Sequence, residues 1–157
     1  MKHKILSLIA FLLAANIIVF AQDNKKEAII AFYNLENLFD TEDDPLTNDA
    51  EFLPTGSNQW TPERYQEKLE NMSSVICLIG QEKGGVVVLG VSEIENRKVL
   101  EDLVAMPKLR PLKLGVAHHD SPDRRGVDVA FLYSKERFQV LDTKAFPVVT
   151  DDTSFRT

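Results

Sequence analysis

Two short strings hold residues whose types and spacing can do chemistry: FYNLENLFD, from Phe32 to Asp40, and GVSEIENR, from Gly90 to Arg97. Each follows an apolar run that reads as a buried strand, so Asn34 and Glu93 fall where two strands end. Open α/β sheets place their ligand-binding groups at such ends. A carboxylate and an amide oxygen meeting there begin a Mg²⁺ site, because that hard ion takes oxygen ligands and keeps several waters; Mn²⁺ or Ca²⁺ suits the same donors. The pattern points to metal-assisted hydrolysis. Each residue also has a plainer reading, Asn34 as a turn residue and Glu93 as a solvated loop acid or a charge at the start of the following helix. Glu95, just before Asn96, reads as a helix-start charge, with a supporting role behind Glu93 left open.

A second cluster, HHDSPDRRG from His118 to Gly126, offers groups that can face phosphate. Ser121, Pro122 and Asp123 form a turn, after which Arg124 and Arg125 enter a strand through Gly126. Arginine matches phosphate oxygens bidentately and stays charged at any relevant pH. The alternative is a basic turn paired with Asp120 or Asp123. His118 and His119 alternate on a strand, so only one of them can face a cleft; His119 is taken as the cleft-facing candidate. A histidine pair beside an aspartate invites zinc, but no third and fourth ligand with suitable spacing follows.

The elements that must position these groups are legible from pattern. Glu27 to Asn34 reads as a strand, and Asp40 to Gln59, rich in Asp, Asn, Pro and Gly, as a long loop bordering the site. Thr61, Pro62 and Glu63 give a helix start, and Tyr65, Leu69, Met72, Ile76 and Ile79 continue it toward Gly80. Val86 to Val91 is a second strand, and Asn96 caps a short helix ending near Ala105. Leu112 to His118 forms another strand, and Val127 to Tyr133 with Phe138 to Asp142 reads as a hairpin pair. The sum is an α/β fold, a mixed sheet of about five strands with two helices on one face. Val86 to Val91 is apolar without alternation and expects cover on both faces, which two helices cannot give. An uncovered apolar face beyond a few hundred Å² is expected, with marginal folding or aggregation.

The stretches FYNLENLFD, WTPERYQEKLENM (Trp60 to Met72), VLGVSEIENRKVLEDL (Val88 to Leu103) and HHDSPDRRGVDVAFLY (His118 to Tyr133) together resemble the endonuclease/exonuclease/phosphatase superfamily, the deoxyribonuclease I-like fold, and in particular its secreted bacterial branch. The resemblance covers the N-terminal half of such a domain. It implies the first half of a four-layered α/β sandwich, with residues 22–157 as a partial catalytic domain. It also implies that Glu93 and Asn34 hold a divalent ion and that one of Arg124 and Arg125, taken here as Arg125, orients the scissile phosphate. Family members normally continue with a Gly-Asp-x-Asn motif and a closing Asp-His pair that supply the general base, the rest of the metal site and a transition-state histidine. This sequence contains neither. The expected function is therefore a metal-dependent phosphodiester hydrolase, endonuclease-like, present as an N-terminal fragment inactive alone, with a complementary C-terminal half as a partner. A truncated product without a role, or a binding module on the same scaffold, is the alternative.

Composition sets further bounds. Met1 to Ala21 has a basic start (Lys2, Lys4), an apolar stretch from Ile5 to Phe20 and small residues at its end, which reads as a cleavable signal peptide. An exported product, periplasmic or extracellular and without stable membrane insertion, is expected. Loss of the two leader lysines takes the formal charge from −6 to −8. Such a chain lacks a global field that would draw in nucleic acid, so DNA or RNA as the phosphodiester substrate must be held by local arginines and the ion. Cys77 is the sole cysteine, which excludes an intramolecular disulfide.

Overall fold

The computed structural model describes residues 27–146 and residue 151. The leader expected over Met1 to Ala21 lies outside the described residues, as do the last six residues of the expected partial domain. Four strands form one open mixed sheet: β1 (Ile29–Leu38), β2 (Val86–Ile94), β3 (Leu114–His118) and β4 (Asp128–Ser134). The order is β1-β2-β4-β3, with β1 and β2 parallel and β4 antiparallel to both neighbours. Helix α1 (Pro62–Leu78) fills the crossover that two parallel strands require, and α2 (Arg97–Val104) leads from β2 toward β3.

Both helices begin where the sequence supplies a cap. The Thr61 side chain accepts the Arg64 backbone N–H at 3.4 Å with Pro62 in the first turn, and Asn96 Oδ1 accepts the Val99 N–H at 3.0 Å. Each bond satisfies a donor that a helix start leaves orphaned. Past the end of α1, Gly80 takes a φ of 64°, and a Cβ there would lie 2.6 Å from the Ile29 side chain. Glycine thus permits both the left-handed turn and the close approach of β1. The inward stripe of α1 (Leu69, Ile76) and that of α2 (Val99, Leu100, Leu103) bury against Leu35, Leu89, Val91 and Leu132 of the sheet. Each such side chain contributes about 1.5–3 kcal/mol by leaving water.

The α/β class and the two helices on one face agree with the sequence reading, but among the described residues the sheet has four strands, not about five. Phe138 to Asp142 forms no strand, and Phe138 and Leu141 are exposed. The reason is topological: β2 and β3 already occupy the two edges of β4, so no edge remains for a hairpin partner. The antiparallel mate that β4 takes from nearby sequence is β3, from Leu114 opposite Ser134 to His118 opposite Ala130.

The face away from the helices is open and apolar. Phe32, Gly90, Phe131 and Ala117 stand opposite one another across all four strands. Ile30 is 71% exposed, Phe32 68%, Val129 66% and Phe131 59%, so adjacent strands present a contiguous patch rather than scattered apolar residues. Gly90 leaves room for the rings, since a Cβ there would sit 2.9 Å from Phe32. Among the described residues, no helix is long and apolar enough to cross a membrane.

Replacing Phe32 and Phe131 together by serine is expected to reduce self-association and hydrophobic-dye binding while barely moving the thermal midpoint, because both rings lie outside the helix-covered core. Sedimentation velocity over a range of concentrations checks this. Unchanged association would assign it to a different surface.

Candidate metal and phosphate site

The parallel ladder between β1 and β2 breaks where the two chemistry-bearing strings meet. Asn34 pairs with Ser92 and Leu38 with Ile94, so Leu35, Glu36 and Asn37 on β1 face the single residue Glu93 on β2. The ladder to β4 skips Glu93 as well, running from Ser92 opposite Val129 to Ile94 opposite Asp128. Glu93 is therefore the bulge residue toward β4 and the single residue opposite the three-residue excess of β1, and bulges re-aim side chains beside functional sites. Three non-glycine residues take left-handed backbone here: Glu36 (φ 52°), Asn37 (φ 59°) and Glu93 (φ 56°). Such strain persists only when the surroundings hold it, and it gathers at ligand sites.

The surroundings are identifiable. Asn34 Oδ1 accepts the Glu36 backbone N–H at 2.7 Å, and Lys68 Nζ of α1 donates to the carbonyl oxygens of Glu36 and, at 3.2 Å, Asn37. Asn34 is exposed and Glu93 partly so. Among the described residues, no hydrogen bond or ion pair engages the Glu93 carboxylate. Its charge acts on two cations, Lys68 and Arg125. The Lys68 ammonium is pulled below the usual lysine range by burial, against the opposing pull of Glu36 and Glu93.

Arg125 is exposed and forked onto Asp123, with Nη2 at 2.7 Å from Oδ2 and Nε at 3.2 Å from Oδ1. That hydrogen bonding and the Asp123 charge raise its pKa, and Glu93 adds to the effect. The turn is thus paired with Asp123, one of the two partners considered from sequence, and it still lies within reach of the Glu93 field. The Arg124 carbonyl accepts the Asn48 N–H at 2.9 Å, which docks the acidic loop on the arginine turn. The loop itself is fixed at its root. Phe39 stacks on Phe52 at 4.0 Å, and Trp60 Nε1 donates to the Phe39 carbonyl at 2.9 Å.

Of the two histidines, His119 is exposed and lines a hollow of about 840 Å³ on the open face, with Phe32, Val129 and Phe131. His118 points the other way: its side chain is 4% exposed, with Nε2 2.7 Å from Asp128 Oδ2 and Nδ1 3.8 Å from Asp120 Oδ1. Asp128 Oδ1 also accepts the Ser121 N–H at 2.7 Å. His118, Asp120 and Asp128 thus form a second group able to hold an ion. Its third member escaped the sequence reading because the β3–β4 pairing, not local spacing, delivers Asp128.

Glu95 is the other residue whose place was not foreseen. It stands just before the α2 cap Asn96, but its side chain is buried, and Oε2 accepts the Asp40 N–H at 2.7 Å. Burial pushes its carboxyl up to about 7, opposed by that hydrogen bond and assisted by the charges of Asp40, Asp49 and Asp44.

The donor set fits a hard divalent ion. Asn34 Oδ1 keeps a second lone pair, and the Glu93 carboxylate has both oxygens uncommitted. His118, by contrast, is committed through a direct hydrogen bond to Asp128. A family model described as Endonuclease/Exonuclease/phosphatase family matches residues 29–157. No curated protein and no solved structure gives a significant match.

The Glu95 environment sets a pH dependence. The unfolded group titrates near 4.5, so between about 4.5 and 7 the folded chain keeps a proton that the unfolded chain releases. Stability contributed by this group therefore falls as pH rises through that window and stays lower above it. In EDTA, Glu95→Gln, which keeps an oxygen for the Asp40 amide, is expected to melt above the parent at about pH 8 and level with it near pH 4. Circular dichroism melts at the two pH values check this; an equal gap at both would contradict it.

Proposed function

Because the chain belongs to the Endonuclease/Exonuclease/phosphatase family, we propose that it carries the cation- and phosphate-binding part of an endonuclease-like, metal-dependent phosphodiester hydrolase. The observation that carries this reading is the shared register break, which sets Asn34 beside the Glu93 bulge with the Lys68 and Arg125 charges close by. Asn34 and Glu93 would hold Mg²⁺, with Mn²⁺ or Ca²⁺ as substitutes. When bound, such an ion neutralises charge on the phosphate and on the leaving oxygen.

The chain's own residues have separable tasks in this reading. Arg125 exchanges its fork on Asp123 for two phosphate oxygens, a match that guanidinium geometry favours. His119, on the open side, donates to the same phosphate or to its leaving group. Glu95 and Trp60 hold the two ends of the segment that borders the site. The acidic overall charge restricts nucleic acid binding to this local patch, so the substrate class is a phosphodiester, nucleic acid included. The sequence has no match for the family's general base, and the 157-residue chain alone is proposed to bind the ion and phosphate ester with negligible turnover. The leader-like pattern over Met1 to Ala21 supports an exported product, periplasmic or extracellular.

Mn²⁺ titration of the 157-residue chain, followed by electron paramagnetic resonance, tests the site. Saturable binding weakened roughly tenfold or more in Glu93→Gln is expected. Binding indifferent to Glu93 would remove the metal reading. Cleavage of plasmid DNA and of bis(4-nitrophenyl) phosphate in Mg²⁺ should be negligible, and robust Glu93-dependent cleavage would show a complete catalytic site instead.

A further inference from the structure

Lys68 stands on α1 where three parts of the site meet. Its Nζ donates to the backbone carbonyls of Glu36 and Asn37, the two consecutive left-handed residues of β1. The ammonium lies 5.5 Å from the centre of the Trp60 ring, and Trp60 Nε1 holds the Phe39 carbonyl at the root of the acidic loop. Glu36 and Glu93 both bear on it electrostatically.

Two adjacent left-handed residues without glycine need support from outside the strand. Asn34 Oδ1 holds the amide side of this turn through the Glu36 N–H; on its carbonyl side the Phe39 N–H donates to the Asn37 carbonyl at 3.1 Å, and Lys68 of α1 reaches both the Glu36 and the Asn37 carbonyls. An ammonium has three donors and serves both carbonyls from one atom. Where this turn points determines how Asn34 meets the bulge, because Asn34 is the last β1 residue in register before the break.

We propose that Lys68 is a positioning residue of the cation site, tying the Glu36 and Asn37 carbonyls to α1 so that Asn34 Oδ1 stays beside Glu93. This inference rests on the reading of Asn34 and Glu93 as the cation's ligands. A positive charge near a cation is by itself unfavourable, so the two roles open to Lys68 have opposite signs. If its charge were all that mattered, removing it would tighten Mn²⁺ binding; if it positions the turn, removing it loosens binding.

The same Mn²⁺ titration decides. Lys68→Met, which keeps the stem over Trp60, is expected to weaken binding roughly tenfold, and Lys68→Arg to stay close to the parent. Adding Glu36→Gly and Asn37→Gly to Lys68→Met is expected to recover most of the loss, since glycine takes positive φ without a tether. Lost stability alone would not be rescued by two flexible residues, so recovery supports the proposal even if Lys68→Met melts lower, and no recovery overturns it. Unchanged or tighter binding in Lys68→Met, with Glu93→Gln still impaired, also overturns the Lys68 role while leaving the ligand assignment standing. Parent-like binding in Glu93→Gln removes the ligand assignment itself.

Discussion

A mismatch in residue count between two neighbouring parallel strands governs this molecule. Between Asn34 and Leu38 β1 spends three residues where β2 spends one, and the sheet absorbs the difference without losing the pairing on either side. The excess forces Glu36, Asn37 and Glu93 into backbone that side-chain-bearing residues avoid. Everything polar at this end of the sheet serves that geometry. Asn34 caps the turn from within, α1 reaches in with Lys68, and Glu95 fastens the exit of β1 through the Asp40 amide. Strain maintained this thoroughly in a small domain indicates that the arrangement is used.

Charge is distributed to the same end. The chain is acidic overall, and its acids crowd the loop beyond β1, yet Arg125 and Lys68 flank Glu93. The acidic loop is also tied down at its root, by the Trp60 and Phe39 contacts, and near its middle, by the Asn48 bond to the arginine turn. An excess of negative charge would repel a phosphodiester, whereas a bound divalent ion reverses the local sign.

Local signals were readable in the sequence, and pairing was not. Thr61 and Asn96 act over three residues, so the helix starts follow from composition alone. The alternation of His118 and His119 correctly sends one outward, but which one depends on the register with β4. Asn34 stands at the break rather than at a strand end, because β1 continues to Leu38, whereas Glu93 is the second-to-last residue of β2. The extra residue at Glu93 shifts the alternation so that Ile94 takes the core side, while Glu95, past the end of β2 and just before the Asn96 cap, is buried where it meets the Asp40 amide, a contact that local spacing does not reveal. The expected strand at Phe138 to Asp142 had suitable residues, but its expected partner β4 has both edges occupied.

The order β1-β2-β4-β3 has a bearing on assembly. β4 is the last of the described strands and yet lies between β2 and β3, so it is the piece that joins the parallel pair to the remaining strand. Until it arrives, β2 offers one unsatisfied row of amides and carbonyls, and β3 has no neighbour. Nucleation by the local β1–α1–β2 unit followed by late insertion of a central strand is a non-local, slow route. A nascent chain would pass through that interval with the bare edge of β2 open to wrong pairing, a hazard that chaperone binding would relieve.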